Sequence, residues 1–234
     1  MRIGIIVAME EEFQALNSIF QEKLEEDNFY KIYSANYKNN GKSVEIFGII
    51  SKIGKSASAS ATTHLINKYN PDFLINMGSC GGLNNSSVSS IILSKSAGYC
   101  DVDVQAFGYK LGQLPQQPEF FESQDKTLNF AKLLDFVKKQ HSVLSGFVVT
   151  ADSFIADPNR VEVIKNIYPN TLAVEMEGAS FAQVCSTYNK DFLLVKKVSD
   201  MADTDASKSF KDEINKMSEN TKDIIKSILD FITT

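Results

Sequence analysis

Short apolar runs alternate with longer segments of helical periodicity over most of the chain. Residues 2–8 are an apolar run typical of a buried strand, and the following segment brings Met9, Phe13, Leu16 and Phe20 onto one helical face. The same alternation predicts strands at residues 31–37, 43–50, 72–77, 88–94, 143–149, 172–174 and 191–198, and helices at residues 54–69, 124–140, 159–167, 178–188 and 209–232. This rhythm predicts an α/β fold, and since no linker or repeat divides the chain, we expect one domain over residues 1–234.

Turn residues support this division into elements. The Asn-Asn-Gly sequence at residues 39–41 lies between two strand-like runs and predicts a hairpin, and the Asn-Pro pair at residues 70–71 ends the preceding helix. Residues 99–122 hold several glycines and prolines and predict a long loop. Loops of this length in compact domains are often lids or binding segments.

The composition limits the classes of function. Of 234 residues, 43% are hydrophobic and 23% charged, which is ordinary for a globular protein with a substantial core. No run reaches the roughly 18 uncharged apolar residues that a membrane helix needs, and the N-terminus is a poor signal peptide. We therefore expect a cytoplasmic protein with no membrane partner. The net charge of −5 argues against binding to nucleic acid.

Cysteine and histidine are too few and too scattered for the sites that they usually form. Cys80, Cys100 and Cys185 lie far apart with no C-x-x-C spacing, so neither a disulfide framework nor a zinc site is expected. His64 and His141 are the only histidines in the sequence. Any chemistry must then rely on carboxylates, hydroxyl groups and the backbone.

Polar or glycine-rich residues follow five of the predicted strands. Ligands gather at the carboxyl ends of strands in α/β sheets, so these segments converge on one cleft if the strands are parallel neighbours. The five segments are residues 9–12, 78–82, 152–155, 175–177 and 199–200.

The first segment contains three consecutive glutamates. Carboxylates in the first turn of a helix are stabilised by its dipole, by roughly 0.3–1 kcal/mol each. This effect explains why acidic residues occur here, but it does not explain three of them in a row. At 100° per residue, Glu11 points away from the apolar face and Glu12 lies at its margin. Glu12 is therefore the residue that we expect to be partly buried, with a raised pKa suited to a general base.

The glycine cluster at residues 78–82 follows a predicted strand, so its backbone amides could face a ligand. It does not match G-x-G-x-x-G, which argues against a dinucleotide site. Gly54-Lys55-Ser56 resembles the end of a phosphate-binding loop, but the glycine that such a loop needs at position 49 is missing.

The remaining strand ends carry two acidic motifs and an aromatic residue. Glu175 and Glu177 either cap the next helix or accept hydrogen bonds from a ribose diol. Asp200 is explained equally by capping, or by proton transfer to a leaving group. Phe154 is either a core residue or a stacking platform for a ligand.

In order along the chain, these segments resemble the 5′-methylthioadenosine/S-adenosylhomocysteine nucleosidases of the nucleoside phosphorylase/hydrolase superfamily. The likeness runs in register from residue 4 to residue 210. Its motifs are Ala-Met-Glu-Glu-Glu at residues 8–12, Gly-Ser-Cys-Gly-Gly at 78–82, the loop at 103–109 with Gly-Gln-Leu-Pro at 112–115, Val-Glu-Met-Glu at 174–177 and Val-Ser-Asp at 198–200. The resemblance implies a single-domain three-layer αβα sandwich around a twisted mixed β-sheet, acting as a homodimer without metal or organic cofactor.

The resemblance also implies an activity, the hydrolysis of the N-glycosidic bond of a small-molecule nucleoside. Glu12 would activate water, and Asp200 would protonate adenine N7. The implied substrate-binding residues are Met9, Ile53 and Phe210 in the pocket, Ser79 and Gly81 at the sugar and water, Phe154 and Ile155 at the purine, Glu175, Met176 and Glu177 at the ribose, Ser199 beside Asp200, Lys196 near the water or ribose, and Val104 and Phe107 reaching the 5′-thio group across the dimer.

Two residues depart from the family pattern. Lys196 stands where the family usually has arginine, so it keeps the charge and loses the bidentate fork, which could alter the position of water or ribose. Lys52 stands where glycine is common, which could reshape the turn beside the sugar site.

Two alternatives to a nucleosidase remain. A phosphorylase would use phosphate, whose oxygens favour arginine, but Arg2 and Arg160 are the only arginines and neither lies in a strand-end motif. A non-catalytic nucleoside-binding relative would need no acid and base at opposite ends of one bond. The sequence leaves the preferred 5′ substituent open among methylthio, homocysteinyl, deoxy and aminodeoxyfutalosine forms.

Overall fold

The computed structural model describes residues 1–20, 22–26, 30–214 and 217–234, with segments 22–26 and 217–220 described by their backbone. The strands are β1 (Arg2–Val7), β2 (Glu22–Glu26), β3 (Lys31–Asn39), β4 (Lys42–Ile50), β5 (Phe73–Gly82), β6 (Ile91–Ser94), β7 (Ser96–Tyr99), β8 (Phe121–Glu122), β9 (Val143–Ser145), β10 (Phe147–Thr150), β11 (Thr171–Glu175) and β12 (Asp191–Asp200). The helices are α1 (Glu10–Phe13), α2 (Lys55–Tyr69), α3 (Phe130–Lys138), α4 (Pro158–Ile167), α5 (Gly178–Thr187), α6 (Ala206–Ile214) and α7 (Met217–Ile232).

The strands form one mixed sheet of 12 strands, which runs in the order β2-β3-β4-β1-β5-β11-β10-β7-β8. Strand β12 pairs with β5 and β6, and β6 pairs with β9. Strands β4, β1, β5 and β12 are parallel, whereas β11 meets β5 in the antiparallel direction. The carboxyl ends of β1, β5 and β12 therefore lie side by side.

Helices cover both faces of the sheet. In β1, Ile3, Ile5 and Val7 face a core with α3 and α7, and Ile6 faces a core with α2 and α5. This alternation follows from the two-residue period of a strand. The predicted α/β fold with helical layers on a mixed sheet is confirmed.

The predicted hairpin and the helix after it are also confirmed. Strands β3 and β4 pair across Asn40 and Gly41, whose φ angles of 49° and 78° fit a two-residue turn of the type that matches strand twist. Helix α2 ends where Asn70 takes up the left-handed conformation at φ 46°.

Several predicted boundaries were wrong. Strand β5 runs on to Gly82 instead of ending before the glycine cluster, and Gly146 divides the run at 143–149 into two strands. The helix expected from residue 124 begins at Phe130, because the amides of Gln124 and Thr127 bond to Asp191 instead.

Smaller differences affect four other segments. The strand expected from residue 88 begins at residue 91. The first helix is a single α turn followed by a 3-10 turn. The loop at 99–122 contains a 3-10 turn and the short strand β8. The helix expected at 209–232 is described as α6 and α7 on either side of residues 215–216, which lie outside the described part. No helix within the described residues is long and apolar enough to cross a membrane.

Candidate active site

The five strand-end segments meet in one cleft, at the edge where β1, β5 and β12 end. The cleft has a volume of ≈ 420 Å³, within the range of about 300–1,000 Å³ that is usual for small-molecule sites. Its walls contain Ala8, Met9, Glu12, Ile53, Ser79, Cys80, Gly81, Ser153, Phe154, Ile155, Val174, Glu175, Met176, Glu177, Ser199, Asp200, Ser207, Phe210 and Lys211.

Glu12 is buried at the closed side of the cleft, with 2% of its surface exposed, whereas Glu11 is exposed. Its Oε2 accepts the amide N–H groups of Ala8 at 3.0 Å and Met9 at 3.2 Å. Its Oε1 accepts the amide N–H of Ser79 at 2.8 Å and the Ser79 hydroxyl at 2.9 Å. Burial raises the pKa of Glu12, while these donors and Lys196 offset part of the effect.

The glycine cluster gives this carboxylate its space. A Cβ at Gly78 would lie 2.8 Å from Oε1 of Glu12, so no larger residue fits without moving the carboxylate. Gly78 pairs with Lys196 of β12 as a regular strand residue. The cluster is thus a strand that permits close approach of a side chain, which is one of the uses of glycine within strands.

Asp200 ends β12 on another wall of the cleft and is 2% exposed. Its Oδ2 accepts the hydroxyl of Ser199 at 2.8 Å, and its Oδ1 accepts the amide N–H of Ala202 at 2.9 Å. Burial raises the pKa of Asp200, and the charge of Asp203 adds to the effect. An aspartate with a raised pKa is suited to hold and release a proton.

Glu177 follows β11 and is 7% exposed. Its Oε1 accepts the amide N–H of Gly54 at 2.8 Å, just before helix α2. Burial, assisted by the charge of Glu175, raises the pKa of Glu177 to about 8. The two acids therefore differ: the Glu175 side chain caps α5 by accepting the amides of Glu177 and Gly178, whereas the Glu177 carboxylate bonds to the start of α2.

Glu175 and Lys196 form a buried ion pair, with Nζ 2.7 Å from Oε2 and side chains 2% and 1% exposed. Glu175 also accepts the hydroxyl of Thr150 and the amides of Glu177 at 3.0 Å and Gly178 at 2.9 and 2.8 Å. Burial lowers the pKa of Lys196, but the charges of Glu175 and Glu177 outweigh it, so the net shift is upward. Lys196 thus remains an ammonium ion.

Apolar side chains form the open end of the cleft. Phe154 is 47% exposed and meets Phe210 of α6 edge to face, with ring centroids 5.9 Å apart. Ile53 is 55% exposed, Met9 and Met176 are half-buried, and Ile155 is buried behind Phe154. Aromatic and aliphatic surface beside a few buried polar groups is the usual composition of a small-molecule site.

Most of the predicted site residues line this cleft, and three do not. Lys196 is buried against Glu175 instead of facing the cleft. Val104 and Phe107 lie outside the cleft of their own chain, and Phe107 is 81% exposed. Sequence reasoning missed Ala8, Cys80, Ser153, Val174, Ser207 and Lys211. Four of these flank or lie within predicted motifs, whereas the two on α6 carried no signal in the sequence.

The described residues contain no group of three or more histidine, cysteine, aspartate or glutamate side chains that could hold a metal ion. Helix α2 does not leave its N-terminus free for phosphate either. Its first amides bond to carboxylates, Gly54 to Glu177 and Lys55 to Asp152.

Known proteins match this chain in sequence and in fold over nearly its whole length. The model of the Phosphorylase superfamily matches residues 2–230. A 5′-methylthioadenosine/S-adenosylhomocysteine nucleosidase of Buchnera aphidicola subsp. Acyrthosiphon pisum is 36% identical over 232 residues, which cover 98% of each chain.

Two solved structures show the same fold. The S-adenosylhomocysteine nucleosidase of Streptococcus pyogenes in complex with 5-methylthiotubericidin superposes with a TM-score of 0.90 at 29% identity, covering 100% of this chain and 98% of the other. The 5′-methylthioadenosine/S-adenosylhomocysteine nucleosidase of Neisseria meningitidis in complex with methylthio-immucillin-A gives 0.86 at 30% identity, covering 98% and 99%. By sequence and by fold, the chain belongs to the Phosphorylase superfamily and, within it, to the family of 5′-methylthioadenosine/S-adenosylhomocysteine nucleosidases.

Proposed function

We propose that this chain hydrolyses the N-glycosidic bond of 5′-methylthioadenosine and S-adenosylhomocysteine, releasing adenine and the 5′-substituted ribose. The observation that carries the proposal is the pair of buried carboxylates, Glu12 and Asp200, on two walls of one ≈ 420 Å³ cleft. The names of the relatives support the choice of substrate.

In this proposal Glu12 is the general base. Cleavage of an N-glycosidic bond passes through an oxocarbenium-like state, in which positive charge grows on the sugar. A carboxylate beside the sugar stabilises that charge and takes the proton of the attacking water. The raised pKa of Glu12 strengthens it as a base, and its four hydrogen bonds hold it in one orientation.

Asp200 is the general acid at the other end of the bond. Its raised pKa favours a protonated form that can pass its proton to adenine N7 as the base leaves. The hydroxyl of Ser199 orients the carboxyl group from 2.8 Å. Phe154 stacks on the purine, and the backbone of Ile155 reads its edge.

Glu177 forms hydrogen bonds with the ribose hydroxyls, with Met176 packed on the sugar and Ser79 and Gly81 beside the water. Met9, Ile53 and Phe210 enclose the rest of the substrate. Glu175 and Lys196 act on the same site through charge and positioning, since the ammonium lies against Glu175.

The phosphorylase alternative has less support. Arg2 lies at the start of β1, away from the cleft, and its Nε pairs with Glu45 at 2.8 Å. Arg160 is exposed on α4. No arginine lines the cleft among the residues that the structure describes, whereas phosphate sites favour the arginine fork.

We also propose a homodimer in which Val104 and Phe107 complete the 5′ end of the partner's cleft. Phe107 presents an aromatic ring that is 81% exposed, on a loop outside its own chain's cleft. Light scattering measures the mass of the assembly. A dimer in which Phe107→Ala raises the KM for methylthioadenosine supports the proposal, and an active monomer contradicts it.

The activity test is release of adenine from methylthioadenosine, with and without phosphate, followed by identification of the sugar. Free methylthioribose at a rate independent of phosphate is the expected result. A phosphorylated sugar formed only with phosphate would make the protein a phosphorylase. Tight binding of adenosine analogues without release of adenine would favour the non-catalytic alternative.

Substitution of the two carboxylates tests their roles. Glu12→Gln and Asp200→Asn should each lower kcat by about 10²–10⁴-fold, the usual contribution of a positioned base or acid. Glu11→Gln is the matched control, because Glu11 is the exposed neighbour of Glu12. A Glu12→Gln protein as active as the Glu11→Gln protein would remove Glu12 from its role.

A further inference from the structure

Lys55 joins three parts of the molecule beside the cleft. Its Nζ lies 2.9 and 2.8 Å from the two carboxylate oxygens of Asp101, and its amide N–H donates to Oδ1 of Asp152 at 2.9 Å. Oδ2 of Asp101 also accepts the amide N–H of Asp152 at 2.9 Å. Asp101 and Asp152 each follow the end of a strand, β7 and β10, which are parallel neighbours. The start of α2 is thereby tied to two strand ends.

The residue before Lys55 links this network to the cleft. Gly54 has a φ of 102°, which favours glycine, and donates its amide N–H to Oε1 of Glu177 at 2.8 Å. A Cβ at Gly54 would lie 3.3 Å from Oδ1 of Asp152, so the absence of a side chain lets the Asp152 carboxylate approach the start of α2 closely. The direction of its N–H depends on where helix α2 begins.

Helix capping explains part of this arrangement. A carboxylate that accepts the first amides of a helix is an ordinary cap, which accounts for Asp152. Capping does not account for the Lys55 side chain, which turns back from α2 to Asp101 and lies 5.3 Å from the ring centre of Tyr99. The side chains of Lys55 and Asp101 are 22% and 21% exposed, compared with 50% and 54% for the surface pair of Arg2 and Glu45.

We propose that Lys55 is a positioning residue for the reaction. With Asp101 and Asp152 it fixes the start of α2, so that the N–H of Gly54 holds the Glu177 carboxylate in the orientation that binds the ribose hydroxyls. This inference rests on the proposed function, in which Glu177 is the ribose-binding group. Lys55 itself does not line the cleft.

The test compares two substrates in the full-length protein: methylthioadenosine and its 2′,3′-dideoxy analogue, which lacks the groups that Glu177 would bind. Lys55→Met should raise the KM for methylthioadenosine by about threefold to tenfold, the effect of weakening one hydrogen bond, with kcat little changed. The KM for the dideoxy analogue should be the same in the variant and the wild type. Lys55→Arg should restore the wild-type KM.

Lys68→Met is the matched control, since Lys68 lies in the last turn of the same helix. It should leave both KM values unchanged. Asp101→Asn tests the network from its other side and should reproduce the pattern of Lys55→Met. An unchanged KM for methylthioadenosine in Lys55→Met, or an equal rise for both substrates, would overturn the proposal.

Failure of the inference can be told apart from failure of the proposed function. A wild type that releases no adenine would refute both. If the wild type is active, and Glu177→Gln selectively raises the KM for methylthioadenosine while Lys55→Met does not, only the role of Lys55 is refuted.

Discussion

Replacing Gly78 by alanine tests whether the position of Glu12, beyond its presence, determines activity. The added Cβ would lie 2.8 Å from Oε1 of Glu12, 3.1 Å from its carboxyl carbon and 3.2 Å from Oε2. To restore an ordinary contact near 3.4 Å, the carboxylate must retreat by about 0.6 Å. The bonds from Ser79 to Oε1, now 2.8 and 2.9 Å, would then approach the limit of a hydrogen bond.

This displacement should lower kcat strongly while lowering the free energy of unfolding only modestly. Overpacking of this kind lowers the free energy of unfolding by about 1–3 kcal/mol. A misplacement of about 1 Å in a catalytic group can lower the rate 10²-fold, so we expect kcat for methylthioadenosine to fall by about 30-fold to 100-fold. Steady-state adenine release and urea unfolding of Gly78→Ala measure the two effects.

Gly41→Ala serves as the control of similar stability. Its Cβ would meet nothing within 4 Å, but its φ of 78° is strained for alanine by roughly 1–2 kcal/mol. Gly41 lies in the hairpin turn, so kcat should not change. The reasoning is refuted if Gly78→Ala keeps the wild-type kcat, or if the two variants lose the same fraction of activity.

Three further predictions concern stability. The pKa of Glu177 is raised from 4.5 to about 8, so the stability that its protonation contributes is present below pH 4.5 and is lost as the pH rises to about 8. Over this pH range, urea unfolding should show the free energy of unfolding falling more steeply in the wild type than in Glu177→Gln. Lys52 has a φ of 72°, so Lys52→Gly should raise the free energy of unfolding by about 0.5–1 kcal/mol; a lower melting temperature would contradict this. Thr150→Val removes the hydroxyl that accepts the amide N–H of Ala179 at 2.8 Å, so it should lower the free energy of unfolding by about 1–3 kcal/mol, whereas Thr150→Ser should not. Urea unfolding measures this difference, and equal stability of the two variants would contradict the prediction.

The sequence predicted strands, turns and helices well where residues close together in the sequence determine them. Strand β1, the hairpin at residues 39–41 and helix α2 follow from alternation, turn chemistry and a terminal Asn-Pro pair. The start of α3 did not, because the competing bonds come from Asp191, which is 64 and 67 residues away from the amides that it accepts. No window of the sequence contains such a partner.

The glycine cluster shows a different reason for error. Glycine weakens strands, and the strand before residues 78–82 was expected to end at residue 77. In the structure β12 pairs with them in register, from Lys196 opposite Gly78 to Val198 opposite Cys80. The cluster does line the cleft, but the expectation that its amides face a ligand missed a second role, because the glycine at position 78 makes room for a carboxylate.

The site residues were predicted to the extent that they stand at strand ends. On helix α6 only Phe210 was predicted, from the family resemblance; Ser207 and Lys211 were missed because their place in the cleft depends on how that helix packs over β12. Lys52 has a left-handed φ, the conformation that favours glycine, which agrees with the expectation that the family usually has glycine at this position. The departure from the family pattern therefore affects the backbone of the turn.

Lysine at position 196, where the resemblance implies arginine, can be understood from what Glu175 already bonds. Its Oε1 accepts the hydroxyl of Thr150 and the amide of Gly178, and its Oε2 accepts the amides of Glu177 and Gly178, so the carboxylate still requires neutralisation of its charge more than further donors. The single ammonium of Lys196 does this at 2.7 Å, and a fork would have to displace one of the amides to bind both oxygens. Because the charge is retained, the ammonium still opposes the rise in the pKa values of Glu12 and Glu177. Lysine at position 196 therefore supplies a positive charge beside Glu175 that also acts on Glu12 and Glu177, the groups to which the proposal assigns the general-base and ribose-binding roles.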